Sequence, residues 1–412
     1  PRAVYERDLV RYRARVWITA PALVRTVLLD ERERYRKLSS IRLLGPLLGR
    51  GLLTSEGAEW KWQRQAAAPV FRQADLLRLV PGFVAVATRL VERWRARPGV
   101  QAIDVDTTRA TLEVISSTIL PSTDARLASV FERSMATFQR AAGWGILYAS
   151  TGLPWWLPRP GMLSSARAIA ALRHATHRLL DERRAAGERE DLLQRLRLAR
   201  DPDTGRSMDD TRLVDNLLTF YLAGHETTAR ALAWTLFLLS RFPEWAEKLV
   251  REISSVTGGA PVGAGHIERL VLVQQVIKES MRLYPPVPLL SRQAVADTTL
   301  GGAPVAAGTS VVMPIYVIHR HTKRWERPDQ FDPTRFAPEN EAKMPRYQYM
   351  PFGAGPRICI GRAFAEIEAA AILATLLRHA RFSPVQGHAP EPVARVTLTP
   401  GGGMPLKVAL LT

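Results

Sequence analysis

Apolar residues recur at helical spacing over most of the chain, in blocks separated by short polar, Pro- or Gly-containing breaks. Positions at i, i+3, i+4 and i+7 predict helices over 59–71, 74–95, 105–119, 123–142, 164–186 and 211–242. Shorter helices are predicted over 244–257 and 267–283, and a firm one over 361–380, which reads GRAFAEIEAAAILATLLRHA. Strand patterns are few. Residues 13–19 alternate, and Pro21 then stands where a first helical turn tolerates proline. The stretch 289–317 is strand-and-turn sequence with Gly301-Gly302 as a hairpin turn, and 393–411 reads as another hairpin around Gly401-Gly402-Gly403. The fold class expected is mainly α with a small β region (α+β), the β-rich parts lying near 11–19, 289–317 and 393–411.

The 211–242 pattern is the longest. Asp210-Thr211 supplies a cap signal and Pro243 a stop, and a helix of that length implies one crossing the whole domain. Its faces are apolar except at Ala223-Gly224-His225-Glu226-Thr227-Thr228. Glycine, an acid and two threonines inside a buried helix are locally unfavourable. A Thr hydroxyl bonding back to the preceding turn can bend a helix and leave room for a small ligand. The plainer alternative is a Thr kink with a surface Glu. His225 reads as helix surface or packing, since no second His stands at a ligand spacing from it.

Composition narrows the classes. The 412 residues contain no linker, repeat or low-complexity tract, which favours a single domain over 1–412, and 46% hydrophobic content supports a substantial core. No stretch is long and apolar enough to span a membrane, because 141–158 is broken by Gly and Pro and 298–318 is rich in turn and β-branched residues. The chain begins at Pro1 rather than Met, which leaves an upstream segment open. A net charge of +18 raises the question of a nucleic-acid partner. The basic residues are scattered over amphipathic helices without a recognition motif, so no nucleic acid is expected.

Cys359 is the only cysteine. It excludes an intramolecular disulfide and a cysteine-built structural zinc site, and it fits a reducing, cytoplasmic compartment. Its setting, Phe352-Gly353-Ala354-Gly355-Pro356-Arg357-Ile358-Cys359-Ile360-Gly361, is a Gly-rich turn entering an apolar helix. Two chemistries remain open for such a thiol: an axial ligand to haem iron, or a nucleophile. The helix N-terminus favours a thiolate, and Gly353, Gly355 and Gly361 allow close approach to a flat macrocycle. A nucleophile would need a His base, and none lies between His321 and Cys359.

The decapeptide resembles the haem-binding loop of the cytochrome P-450 superfamily, and the resemblance runs from about Trp17 to the C-terminus. It implies the fold of that family, with haem b (iron protoporphyrin IX) sandwiched between the long central helix and the helix after Cys359. By resemblance Cys359 is the axial ligand, Phe352 shields its sulfur, and Gly353 and Gly361 belong to the haem-binding loop. Trp60, Arg64, Arg292 and Arg357 match propionate-binding positions. Ala223 with Gly224 matches residues that make space over the haem, Thr227 would hydrogen-bond the oxygen to be activated, and Glu226 would help deliver protons. Glu279, Arg282 and Arg335 match an interlocked structural triad; on spacing alone, Glu279 and Arg282 resemble any solvated i, i+3 pair.

The activity implied is insertion of one atom of O2 into a lipophilic small molecule of fatty-acid, terpenoid or aromatic type. Electrons would come from a ferredoxin or flavodoxin with its NAD(P)H reductase, docking on a basic face, and the enzyme is expected to be a monomer. Residues 143–160, with Trp155 and Trp156, match the lid over the substrate channel and suit an apolar doorway or peripheral membrane contact. Stretches 41–53 and 287–290 are further expected pocket walls. Rival readings are a haem-thiolate peroxygenase or isomerase and a non-catalytic haem protein. The intact Glu226-Thr227 pair speaks against the first.

Overall fold

The computed structural model describes residues 7–12, 15–37, 44–118, 157–158, 160–185, 187 and 192–411, with isolated positions between 130 and 144. The helix expected over 123–142 and the lid with Trp155 and Trp156 lie largely outside the described residues. The chain divides into two units, each assembled from separate stretches: Pro1–Arg36, Leu76–Thr111 and Thr227–Thr412 in one, Lys37–Asp75 and Leu112–Glu226 in the other.

Every strand among the described residues belongs to the first unit. The alternating N-terminal stretch forms β1 (Leu9–Tyr12) and β2 (Arg15–Ile18), followed by β3 (Tyr35–Arg36) and β4 (Gly99–Ala102). The 289–317 region yields β5 (Leu290–Ala294), β6 (Thr298–Leu300), β7 (Ala303–Val305) and β8 (Ser310–Met313). The C-terminal part adds β9 (Ala380–Pro384), β10 (Glu391–Ala394), β11 (Leu398–Gly401) and β12 (Pro405–Leu410). The largest sheet runs β1-β2-β8-β5-β3, with β2 and β8 parallel. Its apolar face packs Val16, Ile18, Val311 and Met313 with Leu28 and Met350, and Met350 leads into the cysteine loop. Gly301 and Gly302, at φ of 58° and 78°, form the expected turn between β6 and β7.

The second hairpin expectation is wrong. β12 does not fold back on β11; it pairs with β9 and β4, while β11 pairs with β10. Gly402 and Gly403 do turn the chain, at φ of 76° and 80°, but the edges that accept β12 come from distant sequence.

The longer helices are α1 (Gly57–Ala67), α2 (Val80–Ala96), α3 (Ile103–Thr118), α4 (Met162–Ala185), α5 (Asp210–Arg241), α6 (Pro243–Thr257), α7 (Val271–Leu283) and α8 (Arg362–His379). Most match the periodicity within two residues. The 74–95 prediction breaks into Gln73–Leu77 and α2, because Pro81 belongs in a first turn. The 267–283 prediction likewise breaks before α7, where the Glu252 carboxylate accepts the N–H groups of Leu272 and Val273 at 2.7 and 3.0 Å. Those are donors a helix start leaves unpaired. α8 is apolar around most of its circumference, with Phe364, Ile367, Ile372 and Leu376 all buried, as a helix enclosed on all sides must be.

Candidate active site

Glycine sets the turns of the loop that carries Cys359. Gly353 and Gly355 take φ of 72° and 70°, a region entered without strain only in the absence of a Cβ. A Cβ on Gly355 would stand 2.3 Å from the Leu28 carbonyl oxygen. That glycine therefore serves close packing on the N-terminal segment. Gly361, at φ −88°, has a backbone open to any residue. The Cys359 N–H donates to the Phe352 carbonyl at 2.9 Å, which closes the loop and leaves the cysteine exposed. The Arg362 guanidinium lies 5.7 Å from the Phe352 ring centre, within cation–π range.

Behind the loop stands the triad expected by resemblance. Arg282 Nε and Nη2 donate to the two Glu279 oxygens at 2.7 and 2.8 Å, a bidentate pair with both side chains fully buried. The same guanidinium donates to the carbonyls of His319, Pro328 and Gln330 at 2.9, 2.6 and 3.0 Å. Arg335 Nε lies 3.5 Å from Glu279 Oε1, and the Asp332 N–H donates to that oxygen at 2.9 Å. Burial raises the Glu279 carboxyl, while Arg282 opposes the shift. One member escaped the sequence reading: His319, whose Nε2 accepts the Met350 N–H at 2.9 Å.

α5 is unbroken through its polar stretch, so the threonines do not interrupt the helix. In the second unit Ala223 is exposed, Gly224 half-buried, and His225 and Glu226 are buried at 3% and 4% exposure. The surface-Glu alternative is therefore excluded. A Cβ on Gly224 would stand 2.6 Å from Ile115 Cδ1, so that glycine makes room for a packed neighbour. His225 Nδ1 donates to the Tyr221 carbonyl at 2.7 Å, which makes it a packing residue. In the first unit Thr227 is half-buried and Thr228 buried. Facing inward from α8 is Glu368, fully buried and likewise unforeseen.

Trp60 and Arg64 meet on α1, the guanidinium carbon 5.9 Å from the ring centre. Both are half-buried in the second unit. Arg292 lies on β5 and donates to the Ser291 carbonyl at 2.8 Å, and Arg357 ends the short turn Gly355–Arg357. In the second unit the buried Asp215 carboxylate, also unforeseen, accepts the Arg50 N–H at 2.8 Å and pairs with Arg173 at 2.8 Å. Gly49 and Gly51 allow this approach, since a Cβ on either would lie 2.3 Å from the Asp215 carboxylate or the Thr219 hydroxyl.

The residues fit a haem. A single thiol stands open at a helix start, and a soft thiolate with guanidinium groups is the donor set that an iron porphyrin bearing two carboxylates asks for. The donors therefore define a haem-thiolate protein. The cytochrome P-450 family profile matches residues 9–406. Cyclooctatin synthase of Streptomyces melanosporofaciens is 34% identical over 86% of this chain and 78% of its own length. Cyclooctat-9-en-7-ol 5-monooxygenase of the same organism is 33% identical over 92% of this chain and 83% of its own. The crystal structure of the cytochrome P450DA haem domain superposes with a TM-score of 0.86 at 29% identity, covering 98% of this chain and 90% of that one.

The chain belongs to the cytochrome P-450 family. It is a haem-thiolate monooxygenase with haem b as cofactor, acting with O2 and redox partners on lipophilic molecules. No helix among the described residues is long and apolar enough to cross a membrane.

Proposed function

We propose that Cys359 is the thiolate ligand of the haem and that the chain is a single haem domain. Phe352 shields the sulfur, while Gly353 and Gly361 keep the loop close to the porphyrin. Arg292 and Arg357 are assigned to the haem propionates, and Trp60 and Arg64 by the same family pattern. A bound haem would supply an electron-rich iron for the activation of oxygen. Thr227 would hold a proton at its hydroxyl, Glu226 would replenish it, and Ala223 would leave room for a small ligand. The work required of this pair is modest in distance but strict in order, since protons must reach one oxygen through a water-poor site. The observation that carries the reading is the exposure of the sole thiol on a loop braced by the buried Glu279–Arg282 network.

The substrate class follows the relatives. One of them acts, by its name, on a cyclic unsaturated alcohol, and the apolar wall residues Val287, Leu289 and Leu290 suit a terpenoid-like molecule. The electron donor is a ferredoxin or flavodoxin with its NAD(P)H reductase, and the enzyme acts as a cytoplasmic monomer. Cys359→Ser tests the central claim: the ferrous–CO absorption of a thiolate complex should be lost while the fold, read by circular dichroism, persists. Retention of that absorption would remove Cys359 as ligand. Thr227→Ala should keep the haem and divert reduced oxygen to peroxide.

A further inference from the structure

Residues 323–324 and 340–348 of the first unit line an open groove of about 420 Å3. Lys323, Arg324 and Lys343 bring three cations to it, Asn340 and Gln348 two amides, and no carboxylate is among the lining residues. The acids nearby are engaged elsewhere. Glu341 accepts from Lys278 Nζ at 2.8 and 2.6 Å, and Asp8 accepts from Arg324 Nη2. The Arg324 hydrogen bond holds the Asp8 carboxyl below its usual range, so that one cation is offset and its guanidinium fixed. Lys323 and Lys343 are exposed, and neither forms an ion pair among the described residues. Both walls are built in advance. The N–H groups of Lys323 and Arg324 donate to His321, at 3.3 Å on Nδ1 and 2.9 Å on the carbonyl. Opposite them, the N–H groups of Lys343 and Gln348 donate to the carbonyls three residues earlier at 3.1 and 3.2 Å. Gln348, 7% exposed, joins the walls by donating to the Arg324 carbonyl at 2.9 Å. Next to it Tyr347 holds φ at 68°, a strained setting for a residue with a Cβ. One donor is left over. Arg324 Nη1 is buried and has no acceptor among the described residues, which is unfavourable until an acceptor arrives.

We propose that this groove binds the phosphate or diphosphate group of a small molecule through Lys323, Arg324 and Lys343. The site includes none of the residues assigned to haem or oxygen and does not depend on those assignments. Charge sets the ligand class: two uncompensated lysines and a guanidinium ask for an anion of more than one charge, and the planar guanidinium suits an oxyanion. Shape sets its size. The groove falls within the range of small-molecule sites, and the Arg324 side chain is only 16% exposed. A small anion entering the groove reaches that guanidinium, whereas the broad acidic face of a protein meets the outer lysines first. Met344 offers an apolar surface to the rest of the molecule. No bond is made or broken. Occupancy has a structural consequence, because Gln348 lies two residues before Met350, whose N–H is held by His319 at 2.9 Å. A ligand that ties the two walls together therefore braces the approach to the cysteine loop.

Sodium pyrophosphate, titrated by calorimetry into the haem-loaded protein at low ionic strength, should bind once per chain. KCl at matched ionic strength should show no such site. Lys323→Ala and Lys343→Ala should each weaken binding about tenfold. Arg346→Ala, which removes an exposed cation outside the groove, should leave it unchanged. Both lysines are exposed, so these variants keep the fold, and equal melting midpoints without pyrophosphate confirm it. Amide hydrogen exchange should slow over 321–325 and 340–348 when pyrophosphate is added. Phosphatidylcholine vesicles containing phosphatidic acid distinguish the source of the phosphate. Cosedimentation that pyrophosphate displaces assigns a lipid headgroup; pyrophosphate binding without cosedimentation assigns a soluble compound. Failure of pyrophosphate to bind overturns the proposal, as does binding that both lysine variants leave intact, or exchange that slows only elsewhere. Slower haem reduction by a ferredoxin in Lys343→Glu, with pyrophosphate inert towards the wild type, also overturns it and gives the surface to an acidic protein.

Discussion

His319 Nε2 accepts the Met350 N–H at 2.9 Å, while the carbonyl of the same residue accepts from Arg282 at 2.9 Å. One residue thus joins the buried ion network to the segment that enters the cysteine loop. The accepting nitrogen has to be unprotonated. Burial, reinforced by the Arg282 and Arg320 guanidinium groups, lowers the imidazole pKa to about 3, so the ring is neutral at working pH.

From this follows the first expectation. The folded pKa lies below the unfolded value of about 6.5, so the His319 contribution is complete above that value. It is lost as pH falls toward about 3, at up to about 1.4 kcal/mol per pH unit. In denaturant melts the stability lost by His319→Leu relative to wild type should be largest at pH 7 and shrink as the pH falls to 5. Equal slopes would count against a buried neutral imidazole.

Glu368 acts with the opposite sign. Its carboxyl is raised in the fold, so the folded protein holds a proton that the unfolded chain releases above about pH 4.3. Stability from this group is present at low pH and declines as pH rises through that window. Glu368→Gln should therefore gain stability relative to wild type as pH is raised from 5 to 8, measured by the same melts. A constant difference would show an ionised Glu368.

Arg282→Lys should be severely destabilising despite keeping the charge. Lysine cannot reproduce the bidentate pair with Glu279 together with the bonds to the carbonyls of His319, Pro328 and Gln330. Breaking such a pair leaves Glu279 poorly matched, at about 3–5 kcal/mol. Thermal denaturation and retained haem per protein are the measurements, and a loss below about 1 kcal/mol would contradict the geometry.

Much of this arrangement was legible in the sequence, and the exceptions share a cause. Periodicity located the long helices, and the motifs located Cys359, Glu279, Arg282 and Arg335. What failed was pairing at a distance. The turn at Gly402-Gly403 is local and was seen, but β12 is held by β4 and β9, which no local pattern announces. His319 and Asp215 gave no signal because an isolated His or Asp means nothing until its partners are known. Glu368 did give one. Phe364, Ile367, Ala371 and Ile372 define an i, i+3, i+4 stripe that includes position 368, whereas Glu366 falls off it and pairs with Arg362 at 2.9 Å. An acid inside the stripe was a visible anomaly.

Gly355→Ala should damage the loop without touching its chemistry. The added Cβ would meet the Leu28 carbonyl oxygen at 2.3 Å, at a φ of 70°. Left-handed strain and overpacking together suggest about 2–4 kcal/mol. Faster loss of haem on heating, compared with Gly353→Ala, would be the signature. Gly353 has only an ordinary 3.6 Å contact, with Leu290.

In the second unit, Asp215→Ala removes the acceptor of the Arg50 N–H and the partner of Arg173. Arg173 is partly exposed and can be solvated, so the expected loss is about 1–3 kcal/mol, mostly from the stranded backbone donor. Limited proteolysis should show earlier cleavage near Gly49. Unchanged resistance would mean that the segment is held by its other contacts.

Finally, the sole sulfhydryl offers a direct count. A maleimide can attach to this sequence at one cysteine only, and that residue is exposed. Porphyrin seated against the sulfur would protect it, so labelled mass against unlabelled mass measures the fraction of molecules lacking cofactor. Any variant above that keeps Cys359 could then be sorted, in a single mass spectrum, into failure to load and failure to react.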